Sequence, residues 1–231
     1  MTQTDTRTDS GNAPLNLVVF GAANLDISAG SQTAIVLGDS TPGRVTTSAG
    51  GVGRNVAENL ARLGHQVSLV SATGNDVHGQ FVIDHTRRAG VDVSMCSVLP
   101  GHRTGLYLSI NQLDGALLAA VNDMAVLDSL TPQHLARQLP PLAAASGWVV
   151  DCNVSEACMQ WIMHNSSAQL VFADGVSSHK CLRLLPYLGQ LHTLKINRLE
   201  AQALTGANVL SAAQAIAAAQ ILCKQGVGNV G

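Results

Sequence analysis

From residue 15 onward, short apolar runs alternate with longer amphipathic stretches, the pattern of a parallel sheet whose two faces are covered by helices. Leu15 to Phe20, ended by Gly21, predicts a central strand. A helix is expected over Val56 to Leu63, starting near Gly53, with the strand Gln66 to Ser71 behind it. Trp148 to Cys152, Gln169 to Ala173 and Thr193 to Lys195 predict three more strands. Ser155 is the expected N-cap of the helix after the first of them. Ala212 to Cys223, Ala-rich and interrupted by Gln214 and Gln220, predicts an ordinary buried helix too short to cross a bilayer.

Four segments fall outside that alternation. Thr33 to Leu37 and Arg44 to Ser48 read as short strands on either side of Gly38-Asp39-Ser40-Thr41-Pro42-Gly43. Thr104 to Asn111 and Leu117 to Asn122 flank Leu113-Asp114-Gly115, a hairpin-turn signal. These lid strands, approximately 33–48 and 104–122, are expected to form a small separate β-sheet able to close over a site. Residues 1–14, polar and rich in Thr, Asp and Gly, read as a disordered lead, which leaves 15–231 as the folded domain.

Composition narrows the function classes. With 231 residues, 46% hydrophobic and 12% charged, the chain can bury one substantial core. A formal charge of -2 and the lack of any Lys/Arg run argue against nucleic acid or an anionic membrane as partner. Trp148 and Trp161 are not interleaved with basic residues, so no base-stacking platform is expected. Five cysteines without a CxxC pair, and no signal peptide, point to reduced thiols and a cytoplasmic protein. Cys152 reads as a small buried hydrophobe. The eight histidines show no metal-ligand spacing, and Arg87-Arg88 reads as a solvated helix end without nearby ion-pair partners.

The chemistry concentrates in Ala49-Gly50-Gly51-Val52-Gly53-Arg54-Asn55-Val56-Ala57. Consecutive glycines let the main chain approach a ligand, a helix N-terminus offers free N–H groups, and Asn55 is read as a buried amide beside them. A polyhydroxylated ligand would suit that combination. A turn needed only for packing is the plainer alternative. The dinucleotide fingerprint fits less well: its third glycine is missing, and Ser71-Ala72 stands where an acidic residue should hold the ribose. Asn24-Leu25-Asp26 follows the first strand's carboxyl end, where open α/β sheets bind ligands. Asn197-Arg198-Leu199-Glu200 carries two compatible readings, a reciprocal capping box and a pair able to order water around magnesium and touch a triphosphate.

The segment Gly50 to Gly74, with Asn55, Ala57 and Gly64, resembles the first signature of the PfkB, or ribokinase-like, carbohydrate and nucleoside kinases. Asn24-Leu25-Asp26, the lid strands and Asn197-Arg198-Leu199-Glu200 fall in that family's order, so the resemblance covers nearly the whole chain from residue 15. Within the family the wording is most similar to pseudouridine kinases. It shows in Thr41-Pro42-Gly43, Val121-Asn122-Asp123-Met124, Asp151-Cys152-Asn153-Val154-Ser155 and His192-Thr193-Leu194-Lys195. Ile196 and Gly175 depart from it, standing where prolines are expected.

The resemblance implies an α/β fold, a ribokinase-like three-layer sandwich with a mostly parallel central sheet and a small β-sheet lid. It also implies phosphorylation of a nucleoside 5′-hydroxyl by ATP, with pseudouridine as the preferred nucleoside, or of ribose or a related sugar. By carry-over, Asp26 would accept from ribose hydroxyls, with Asn24 and Asn55 bonding the rest. Gly50 and Gly51 would lie against the sugar, and Asn122, Asp123 and Asn153 would read sugar or base. Lys195, Asn197 and Glu200 would organise ATP and its hydrated Mg2+. No G-x-x-x-x-G-K-[ST] loop is present. The family's G-A-G-D segment, whose Asp takes the hydroxyl proton, is expected beyond Gly231, as are most ligands of a monovalent cation. The resemblance therefore implies a C-terminally truncated kinase of little activity, or a remnant that only binds, with an exposed sheet edge. Family members often pair through the lid sheet, which implies a homodimer.

Overall fold

The computed structural model describes residues 13–166 and 168–231, so most of the expected N-terminal lead lies outside the described residues. In chain order the elements are β1 (Asn16–Phe20), β2 (Asn24–Ser31), β3 (Gly43–Gly50), α1 (Val52–Arg62), β4 (Gln66–Val70), β5 (Ala72–Gly74), α2 (Val77–Arg88) and β6 (Ser97–Leu99). There follow β7 (Gly105–Asn111), β8 (Leu117–Asp123), α3 (Pro132–Arg137), α4 (Leu139–Ala143), β9 (Gly147–Asp151), α5 (Glu156–Asn165), β10 (Leu170–Asp174), β11 (Thr193–Lys195), α6 (Arg198–Thr205), α7 (Ala212–Lys224) and β12 (Asn229–Val230). Short 3-10 helices cover Ala125–Ser129 and Lys180–Gln190.

The central sheet has the order β12-β11-β10-β9-β1-β4, and every pair in it is parallel. Strands covered on both faces need apolar side chains on both, which is why β1 reads as a continuous run. Val18 and Phe20 point into a core shared with Trp148, Val150, Met159 and Ile162, whereas Val19 points into a second core with Leu69, Ala57, Val82 and Ile83. Phe20 and Trp148 meet edge to face at 5.1 Å, an arrangement favoured by the ring quadrupoles.

A second sheet, in the order β3-β2-β7-β8, forms the lid: β2 pairs antiparallel with β3 and parallel with β7, and β7 antiparallel with β8. Leu25, Ile27 and Leu106 anchor its inner end on Val82 and Ile83 of α2. The lid was expected, but one of its strands was misplaced. Thr33 to Leu37 forms no strand, and Val36 and Leu37 are exposed. The fourth lid strand is β2, which starts at Asn24 instead of leaving it in a loop. Its Leu25, Ile27 and Ala29 alternate with Asp26, Ser28 and Gly30, a half-buried strand pattern written in weak strand formers.

Two further expectations are corrected. The helix α7 is exposed over most of its surface, with Ala218 and Leu222 its buried residues, because an alanine-rich run raises hydropathy without making a wide apolar stripe. Arg87 does have an ion-pair partner: Asp84, one helical turn earlier, lies 2.6 Å away.

Candidate functional site

Beyond the carboxyl ends of β1 and β9 a cavity of about 400 Å³ opens between the central sheet and the lid. It is lined by Asn24, Asp26, Gly51, Asn55, Asn122 and Asn153, together with Tyr107, Met124, Val176, Ser177 and Lys180. Sheet register places several of these side by side. Asp26 pairs with Tyr107 and Tyr107 with Asn122, so the three form one row across the lid on a single face.

Asp123, the next residue along β8, must point to the opposite face, and it does not line the cavity. Its carboxylate instead accepts from the Ala125 N–H at 3.2 Å and shapes the chain after the lid. Gly50 is adjacent to the cavity and makes room for another side chain rather than for a ligand: a Cβ there would lie 2.2 Å from the Asp26 carboxyl. Gly51 is required twice over. Its φ is 99°, and a Cβ would lie 2.2 Å from the Ala22 carbonyl oxygen.

The polar groups are held by internal partners. Asn24, buried, donates to Asp26 Oδ1 at 2.7 Å. Burial raises the Asp26 carboxyl above its ordinary value, while the Asn24 bond and the Arg54 charge pull it back down. Asn55 is exposed to the cavity rather than buried; Asn24 is the buried amide. Lys180 Nζ donates to the amide oxygen Asn153 Oδ1 at 2.7 Å, and its ammonium lines the same cavity as the Asp26 carboxylate.

Asp151 ties the floor together. One of its oxygens accepts from the N–H of Ala22 at 2.9 Å and of Gly53 at 2.7 Å, and the other from the Asn153 N–H at 2.7 Å. Burial raises this carboxyl too, against the pull of those donors. A strand-end aspartate thus joins β1, α1 and β9 and is not free to take a substrate proton. Neighbouring Cys152 is fully buried and its thiol is pushed up by burial and by Asp151, which leaves it inert.

On the far side of β10, Lys195 Nζ sits 3.1 Å from Asp174 Oδ2 and is largely exposed. Asn197 and Glu200 form the reciprocal capping box: the Asn197 side chain accepts from the Leu199 and Glu200 N–H groups, and Glu200 accepts from the Asn197 backbone and amide. Glu200 is 1% exposed, so its carboxylate faces inward. Asn197 also borders a mainly apolar cavity of about 490 Å³ with Ile196, Leu210, Ala215 and Ile216.

Tyr107, Met124, Val176, Ser177 and Lys180 were missed, because only the fold brings them to residues 24–55. Two of them stood beside a local signal: Met124 closes the Val121-Asn122-Asp123-Met124 segment, and Val176 follows Asp174-Gly175, with a φ of 62° that is strained for a β-branched residue. Among the described residues, no group of three or more His, Cys, Asp or Glu could hold a metal ion, and no helix is long and apolar enough to cross a membrane.

The pseudouridine kinase of Escherichia coli K12 is 42% identical over 190 residues, covering 82% of this chain and 61% of the relative. An uncharacterized sugar kinase of the same organism is 39% identical over 210 residues, covering 91% of this chain and 58% of the relative. The chain thus spans about three fifths of the length of these curated relatives. Among solved structures, a carbohydrate kinase from Agrobacterium tumefaciens superposes with a TM-score of 0.79 at 30% identity, over 94% of this chain and 70% of that one. With the pfkB family carbohydrate kinase pattern matched across residues 15–230 on this ribokinase-like sandwich, the chain belongs to the pfkB family of carbohydrate kinases.

Proposed function

We propose that the cavity binds a nucleoside, pseudouridine in preference to free ribose, and that it is the acceptor half of an ATP-dependent phosphotransferase acting on a primary hydroxyl. The observation that carries this reading is the convergence of Asp26, Asn24, Asn55, Asn122 and Asn153 on one cavity of nucleoside size. Asp26 accepts from ribose hydroxyls, and the amides supply the donors and acceptors that remain. Tyr107, Met124 and Val176 add apolar wall that a bare pentose would leave uncovered and a base would cover. The likeness to a pseudouridine kinase supports the choice of base.

ATP supplies the phosphoryl group, and magnesium offsets its charge. Lys195 and Asn197 fit the phosphates, as an exposed ammonium and an amide beside an apolar cavity wide enough for a purine. Glu200, committed to Asn197 through both oxygens, acts on this site by orienting Asn197. Among the described residues Asp26 is the one carboxylate lining the acceptor cavity, and on this reading it is occupied by the sugar. Residues 1–231 by themselves are therefore proposed to bind without turnover; a positioned base contributes roughly 10² to 10⁴ in rate.

Calorimetric titration of the chain with pseudouridine, uridine and ribose tests recognition, and incubation with ATP, magnesium and pseudouridine tests transfer. The expected result is pseudouridine bound more tightly than ribose, with no 5′-monophosphate formed above the protein-free control. Ribose bound in preference would support the sugar-kinase reading, which the second relative also favours. Failure of all three ligands to bind would overturn the proposal.

A further inference from the structure

Arg54 lies one residue from the cavity and is 4% exposed, an unusual place for a guanidinium. Its backbone N–H donates to the Ala22 carbonyl at 3.0 Å. Its side chain ties three elements together: Nη1 donates to the Ala49 carbonyl of β3 at 3.1 Å, Nε to Thr86 Oγ1 of α2 at 3.3 Å, and Nη2 lies 2.9 Å from His85 Nδ1. Glu58, one turn further along α1, completes the set as its ion-pair partner. The remaining bond is the informative one. Nη1 also donates to Asn55 Oδ1 at 2.7 Å.

A guanidinium has five donors and no acceptor, so the Asn55 atom facing it must be the carbonyl oxygen. The amide nitrogen is thereby turned away from Arg54, and Asn55 itself lines the cavity. We propose that Arg54 is a positioning residue that fixes the polarity of Asn55, so that the amide presents its NH2 as a donor to the ligand. This rests on the nucleoside reading of the cavity and adds a specificity rule to it. Asp26 is an acceptor and Asn55 a locked donor, so a hydroxyl is matched when it gives its proton to Asp26 and receives one from Asn55. An unlocked amide turns half of its orientations the wrong way, setting oxygen against oxygen.

Arg54→Lys keeps the charge opposite Glu58 but loses the planar fork that reaches Ala49 and Asn55 together. A ligand-free readout comes first: the side-chain amide of Asn55 in a nitrogen-labelled chain, identified by its disappearance in Asn55→Asp. The expected outcome is one dispersed pair of proton resonances in the parent chain, collapsing toward exposed-amide positions in Arg54→Lys. An unchanged pair in that variant would overturn the proposal. The second readout is a double-mutant cycle on pseudouridine affinity. Arg54→Lys is expected to weaken binding about tenfold alone, and by less than about twofold when Asn55 is already alanine. Equal losses in both backgrounds would show that Arg54 merely holds helices together, and would sink the idea. If Arg54→Lys abolishes the cooperative melt, Arg54→Gln, uncharged but still planar, takes its place. A parent chain that binds no sugar or nucleoside fails the functional reading, whereas the resonance test still decides the role of Arg54.

Discussion

Asp26 combines two pH effects of opposite sign. Its carboxyl is raised by burial, so in folding the shift stabilises the protein at acid pH, and this contribution is lost as pH rises through the raised value. In binding the charged form is the better acceptor, so nucleoside affinity should be full above the raised value and weaken as pH falls through it. That weakening should begin at a higher pH than for an ordinary carboxyl at 3.8. A calorimetric series across that range checks it, with Asp26→Asn expected to bind about ten- to a hundredfold more weakly and to show no such dependence. Asp26 and Asn55 were legible as candidates because the family pattern singles them out. The roles of Gly50 and Asp123 were not, since a motif gives positions along the chain and not the face of a strand. Tyr107 and Lys180 left no local trace, because nothing in their own neighbourhoods differs from an ordinary strand or helix start.

At the scale of elements, the joint between α2 and the lid depends on Asp76. Its Oδ1 accepts from the Gly79 N–H at 2.8 Å and from Thr104 Oγ1 at 2.6 Å, while Oδ2 accepts from the Thr104 N–H at 2.8 Å. Burial pushes this carboxyl up, but the Thr104 and Gly79 bonds outweigh it and leave it below the ordinary value. A lowered carboxyl contributes stability above its unfolded value that is lost as pH falls through the folded one. Asp76→Asn sets an amide donor against N–H donors, so it should cost about 1 kcal/mol at neutral pH. Denaturant melts should show the parent and variant converging below about pH 4. The caps at Ser155 and Asn197 were readable beforehand because capping is local chemistry of three or four residues. The strand β2 was harder, since Asp26, Ser28 and Gly30 carry its polar face and are poor strand formers on their own.

Across the whole molecule, the parallel sheet was legible from the alternation of elements, whereas the exposure of α7 depends on what packs against it and not on its own composition. The outer part of the lid leaves Val45, Leu108, Ile110 and Val121 exposed on the face opposite the Asp26 row, with Leu108 paired to Val121. A patch of this kind is what pairing of two lids would cover, and we propose a homodimer there. Light scattering should find a dimer for the parent chain and a monomer for Val121→Lys; a monomeric parent would refute the assembly. The Asp151 clamp carries a different consequence. The amides of Ala22 and Gly53 share one buried oxygen, so neither can meet solvent unless β1, α1 and β9 part together. Their deuterium uptake should therefore follow global opening and ignore movement of the lid, which makes these two amides internal clocks for separating breathing at the site from loss of the fold.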